Sequence, residues 1–197
     1  MRKHIIKAVI YLTVFYYTKI LNQYERNVLI MAQDMNLKVS HVVAESTMLG
    51  ATQWAEHIFS VKMKEDCDNG CIVARGEYIG DEYYMEADYA AGMEPMLVLA
   101  PAILPFDALQ AYTYEDRFYN AKDAVVRCYV LKVGDRYSLS ENAFDVAPAV
   151  GQYVTYDVAG KIYNVSDEAD NTKFCAKVLS KIVRSNRVMY KLVVEHL

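Results

Sequence analysis

At 197 residues, with 54% apolar residues and a net charge of −4, the chain is long enough to bury a core in one large or two small domains. After residue 30 it holds 16 Lys and Arg against 24 Asp and Glu. That acidic balance excludes nucleic acid as the main partner, because phosphate backbones are bound chiefly by basic neutralisation. The 17 Tyr and 9 Met account for much of the apolar total. Tyrosine offers a ring that can be buried and a hydroxyl that needs a partner, so it suits both core filling and contact surfaces.

Residues 1–30 stand apart, with five basic groups (Arg2, Lys3, Lys7, Lys19, Arg26) and one acidic group, Glu25. The apolar run from Ala8 to Tyr17 is shorter than the roughly 20 residues of a membrane span. A basic start followed by an apolar run is similar to a signal peptide, but no small-x-small cleavage site follows. Two readings stay open: a start at Met31, with 1–30 as a doubtful leader, or a signal or anchor tethering a secreted or membrane-anchored binding module. Residues 31–53 show little periodicity and are expected to form an extended arm that docks through Leu37, Val39, Val42 and Val43. Residues 54–197 are expected to form a single mainly β domain.

Within that domain, Ile58, Ser60 and Lys62 alternate with Phe59, Val61 and Met63, so Trp54–Lys64 predicts a strand. Asn69-Gly70 tolerates positive φ and predicts a turn leading to a strand at Cys71–Arg75. Cys67 and Cys71 would then face each other across a hairpin, and whether they pair stays open. Gly76–Gly80 is expected to turn the chain into a short strand at Glu82–Ala87. Asp81, Glu82, Glu86 and Asp88 cluster there without the spacing of a calcium loop, and a solvated charged edge is expected. Met96–Ala100 is a buried-type strand stopped by Pro101. Asp107 can then cap a substantial helix over Ala108–Asn120.

From Ala124 to Val165 the rhythm is strand, Gly134-Asp135 turn, strand, a helical turn begun by Ser140, a Pro148–Gly151 corner, strand, Gly160-Lys161 turn and strand. The end of the chain predicts a hairpin, with Phe174–Val183 and Val188–Glu195 joined by Arg184-Ser185-Asn186-Arg187. The expected fold is therefore mainly β, a small antiparallel sheet or barrel, with one substantial helix near 108–120 and an extended N-terminal arm.

Chemistry is sparse. Phosphate-binding glycine loops, the G-x-S-x-G elbow and H-E-x-x-H are missing. His4, His41, His57 and His196 are scattered, and no second Cys/His pair accompanies Cys67 and Cys71, so no metal site is expected. Cys128 could be paired with His57 or His196, but a buried strand cysteine is inert without an electropositive neighbour. A hydrolase built on Cys128 or on the carboxylates around Glu115 is the weakest reading. No catalytic, cofactor-binding or metal residues are assigned, and no cofactor is expected.

The stretch FYNAKDAVVRCYVLKVGDRYSLSENAF, residues 118–144, followed by Pro148-Ala149-Val150-Gly151, resembles a class of tailed-bacteriophage head structural and capsid decoration proteins. Asn69-Gly70-Cys71-Ile72-Val73 and Leu97-Val98-Leu99-Ala100-Pro101 match that class in order, and the likeness runs from about Asn69 to Leu197. The resemblance implies a non-enzymatic virion protein, made in the bacterial cytoplasm and attached to the phage head. Its implied partners are the major capsid protein or other virion proteins, bound as a homo-oligomer or on a lattice, with a membrane involved only if residues 1–30 are an authentic anchor. Many weak contacts on a lattice give firm attachment through effective concentration.

Overall fold

The structure is a computed structural model that describes residues 41–52, 57–80, 82–100, 115–184 and 187–197. The expectations for residues 1–40, including the leader and the first part of the arm, lie outside these residues. Among the described residues no helix is long and apolar enough to cross a membrane.

Eleven strands are described: β1 (Ala44–Met48), β2 (Ile58–Lys62), β3 (Ile72–Ile79), β4 (Tyr83–Ala87), β5 (Pro95–Val98), β6 (Val125–Val130), β7 (Arg136–Ser140), β8 (Tyr153–Asp157), β9 (Ile162–Ser166), β10 (Cys175–Arg184) and β11 (Arg187–His196). They form two sheets, so the chain is mainly β as expected. One is a six-stranded antiparallel sheet in the order β1-β7-β11-β10-β8-β9. The other is a closed five-stranded barrel in the order β2-β4-β3-β5-β6. Its β2–β4 pair is parallel and the remaining pairs are antiparallel. The barrel is thus inserted between β1 and the other five strands of the sheet.

Several local expectations are corrected. Of the expected helix at 108–120, residues 108–114 lie outside the described residues. Glu115–Arg117 is a single 3-10 turn, and Asn120 forms an isolated bridge with Cys67. No substantial helix is found among the described residues. The amides there have other partners, since Asn120 exchanges backbone hydrogen bonds with Cys67 at 2.7 and 2.9 Å. The β2–β3 hairpin is also absent, because β2 pairs with β4 and β6 while β3 pairs with β4 and β5. Gly76 is not a turn. It lies within β3 at an irregularity between Arg75 and Tyr78, where an added Cβ would meet Met85 O at 2.6 Å. Glycine allows the neighbouring backbone to approach this closely.

The expected end of the arm is part of the sheet, since β1 pairs with β7 from Ala44↔Leu139 to Met48↔Arg136. Ser140 precedes a 3-10 turn at Glu141–Ala143 but makes no side-chain cap. Its hydroxyl instead accepts the Val43 N–H at 2.9 Å and so fastens the chain entering β1. The C-terminal hairpin is present, with β10 and β11 paired from Cys175↔His196 to Arg184↔Arg187 across two register shifts. The strand rhythm of 124–165 also holds, although its Gly134-Asp135 turn carries the chain from the barrel into the sheet instead of closing a hairpin.

One hydrophobic core spans both sheets. Barrel strands contribute Val61, Val73, Leu97, Val126 and Val130, and the sheet contributes Tyr137, Leu139, Tyr163, Phe174, Tyr190 and Leu192. The buried tyrosines are the joint. Tyr163 packs edge-on against Tyr156 and Phe174, with ring centroids 5.0 and 6.2 Å apart, and Phe144 tilts onto it at 5.8 Å. The Tyr163 hydroxyl donates to Gly70 O at 2.7 Å and lies 3.3 Å from the Tyr137 hydroxyl, so its polar end is satisfied inside the core. Asp135 makes a second joint, its carboxylate accepting Gly50 N–H at 2.7 Å and Lys132 N–H at 2.8 Å.

Candidate functional site

Among the described residues, a cluster of reactive side chains lies on the turn between β2 and β3. Lys122 N–H donates to Asp66 Oδ1 at 2.7 Å, and the Cys67–Asn120 bridge holds the start of the turn. Asn69 holds its middle, with Nδ2 donating to Ala100 O and Oδ1 accepting Ala100 N–H, both at 2.9 Å. Asn69 Oδ1 also accepts from Asn120 Nδ2 at 3.1 Å. Gly70 has φ +94° and donates its N–H to Val98 O at 2.8 Å. A Cβ at this position would lie 2.6 Å from Leu139 Cδ2. The sequence signal Asn-Gly therefore marks a true positive-φ position, but the turn is locked to the end of β5 and to the sheet, not to a β2–β3 ladder.

Asp68 projects from the same turn. Its Oδ1 lies 2.7 Å from His41 Nδ1, and its Oδ2 accepts Val42 N–H at 2.8 Å. The His41 ring stacks on Tyr119 with centroids 5.0 Å apart, and its backbone N–H donates to Asp116 O at 2.8 Å. The histidine–carboxylate pair thus ties the chain entering β1 to the turn. On another side, Lys161, held at φ 50°, donates from Nζ to Asp66 O at 2.7 Å and pairs with Glu65 at 3.0 Å.

Cys67 and Cys71 lie within this frame, both buried and both free thiols. They do face each other, although no hairpin places them. The side chains that influence the Cys71 thiol through hydrogen bonding are the Cys67 thiol and the Tyr156 hydroxyl. These two donors hold the Cys71 thiol below its ordinary range, with Cys67 the larger influence and burial opposing it. The same contact, together with burial, pushes the Cys67 thiol up. A cleft of about 370 Å³ borders both cysteines and is walled by His41, Asp68, Tyr119 and Lys161.

The other residues weighed from sequence do not converge. Cys128 is fully buried on β6, and desolvation pushes its thiol up. His57 is half-buried before β2, and His196 at the end of β11 has Nδ1 3.2 Å from Lys173 O. Glu86 is a correction to the solvated acidic edge, for it is buried and accepts Lys64 N–H at 2.6 Å. Asp88 points outward to Lys64 Nζ at 3.6 Å, while Glu82 sits in the tight turn before β4 at φ 70°. Asp81 lies outside the described residues. Among the described residues no three His, Cys, Asp or Glu side chains are grouped to hold a metal ion. Glu115 and Asp116 pair with Arg187 at 3.4 and 3.1 Å beside a shallow cleft of about 640 Å³.

A separate feature is a half-open edge. β10 pairs with β8 over Cys175–Lys177, and Val178 continues with bonds to Gly151 and Gln152. From Leu179 to Arg184, β11 lies on one side, and among the described residues no strand lies on the other. Leu179 and Val183 are exposed there, Val183 at 73%. The polar turn at Arg184–Arg187 identified this strand as half of a hairpin, but not its unpaired length, which depends on where β8 ends. Comparison with family models, with curated proteins and with solved structures finds no match for this chain.

Proposed function

We propose that the chain is a non-catalytic structural protein that works by protein–protein contact, attached to the head of a tailed bacteriophage. The observation that supports the contact role is the Leu179–Arg184 edge of β10, a strand with one ladder side open and apolar side chains exposed beside it. Such an edge is a template for an added strand from a neighbour, with main-chain hydrogen bonds giving affinity and side-chain alternation giving register. Lys181 is exposed on the same stretch, and Arg184 is anchored to Glu45 at 2.7 Å. The matching partner is an extended segment of a virion protein with alternating apolar and acidic residues. The resemblance carried by residues 118–151 supports the phage setting.

The rigid frame fits this role. A body joined by buried tyrosines presents its edge without losing further conformational entropy on contact, and repetition on a lattice multiplies a weak single contact. The test uses particles that lack the chain, to which purified protein is added back. Leu179→Glu and Val183→Glu are expected to weaken attachment at least about ten-fold, a change of about 1.4 kcal/mol. Undiminished attachment of both variants, each with an unchanged circular dichroism spectrum, would overturn the role of this edge.

A further inference from the structure

The Cys67–Cys71 pair is not needed by the proposed assembly role, and its surroundings differ from those of the other two cysteines. Cys128 is fully buried on β6, and Cys175 begins β10. Cys71 instead receives two donors, the Cys67 thiol and the Tyr156 hydroxyl, inside a turn pinned by Asn69, Gly70 and the Cys67–Asn120 bridge. The two cysteines thus lie on one turn with a pinned backbone and border the same cleft. Only three residues separate them in the chain, and the cleft that borders both gives a small reagent a route to otherwise buried sulfur.

We propose that Cys67 and Cys71 form a dithiol site that a small hydroperoxide converts to an intramolecular disulfide. Cys71 is the attacking sulfur, because donors directed at it favour the thiolate, which is the nucleophilic form. Its electron pair forms an S–O bond as the O–O bond of the hydroperoxide breaks. The departing oxygen takes up the proton lost from Cys71 and leaves as water or an alcohol. Cys67 sulfur, on the same turn, then attacks the Cys71 sulfenic acid. The S–S bond forms, the S–O bond breaks, and the hydroxide combines with the Cys67 proton as a second water. Two thiols have lost two electrons and two protons, and the hydroperoxide has gained them.

The test exposes the reduced full chain to hydrogen peroxide, alkylates it under denaturing conditions and maps the peptides by mass spectrometry. The expected product is a Cys67–Cys71 disulfide, formed at least about ten-fold faster than any oxidation of Cys128 or Cys175. In Cys67→Ser, a sulfenic acid accumulates on Cys71 and is captured by dimedone. In Cys71→Ser, Cys67 gives no such adduct at a comparable rate. The proposal is overturned if Cys67 and Cys71 in the wild-type chain stay reduced or react no faster than Cys175. A dimedone adduct on Cys67 in Cys71→Ser, as fast as that on Cys71 in Cys67→Ser, would equally overturn it. The wild-type peptide map decides the matter even where a variant fails to fold.

Discussion

Raising the pH should unfold this protein steeply, and the buried tyrosines explain why. Burial pushes the hydroxyls of Tyr137, Tyr156 and Tyr163 well above the ordinary value of 10.0, and desolvation does the same to the Cys128 thiol from 9.0. In the unfolded chain these groups ionise at their ordinary values, whereas in the folded chain they stay protonated. Their contribution is fully present below the unfolded pKa and is lost as pH rises above it, because only the unfolded state then releases the protons. At pH 11 each tyrosine shifts the balance by about 1.4 kcal/mol and Cys128 by about 2.7 kcal/mol. Together they amount to about 7 kcal/mol, comparable with the whole stability of a typical domain, about 5–15 kcal/mol. Cys71, whose thiol is held low, acts in the opposite sense but is a single group. Urea titrations followed by circular dichroism from pH 8 to 11 should show a flat midpoint to about pH 9 and a sharp fall beyond pH 10. The share of tyrosinate absorbance that belongs to Tyr137, Tyr156 and Tyr163 should appear only with the loss of structure. A midpoint unchanged at pH 11, or ionisation of all 17 tyrosines near pH 10 in a fully folded chain, would refute this reasoning.

Three substitutions test the joints. Gly70→Ala places a Cβ at positive φ and 2.6 Å from Leu139, and should cost about 2–4 kcal/mol in urea unfolding; a cost below about 0.5 kcal/mol would show that neither strain nor clash matters. Tyr163→Phe removes the donor to Gly70 O and strands the Tyr137 hydroxyl, so a loss of about 1–3 kcal/mol is expected without a change of spectrum. Asp135→Ala frees the N–H groups of Gly50 and Lys132 and should destabilise by about 2–4 kcal/mol. Hydrogen exchange in Asp135→Ala should speed up first at Gly50 and Lys132, and uniform acceleration across both sheets would contradict a local joint.

How much of this was legible in the sequence depends on the kind of question. The turn-bounded rhythm of 124–165 identified the strands at 125–130 and 153–157, because turn residues mark where strands begin and end. It could not identify partners, so the expected β2–β3 hairpin gave way to a barrel in which β2 runs parallel to β4. Gly76 read as a turn because glycine permits both turns and close approaches, and only the position of Met85 separates the two. The helix expected after Asp107 rested on a cap and an apolar face. In its described part, residues 115–120, the backbone is drawn to Cys67, a partner more than fifty residues away in the chain. Asn69-Gly70 was readable as a turn, whereas its role in placing Cys67 against Cys71 depended on Asn120, Ala100 and Tyr156, which no local pattern connects. Asp135 was visible as a turn residue, but its hold on Gly50 spans 85 positions.

As proposed, this chain is expected to be a structural part of a phage particle. Quantitative mass spectrometry of virions purified through two density gradients tests it most directly. The chain is expected to co-purify at a stoichiometry of many copies per particle, in constant ratio to the major capsid protein across fractions. Its absence from particles of a phage that expresses it during infection would contradict the account.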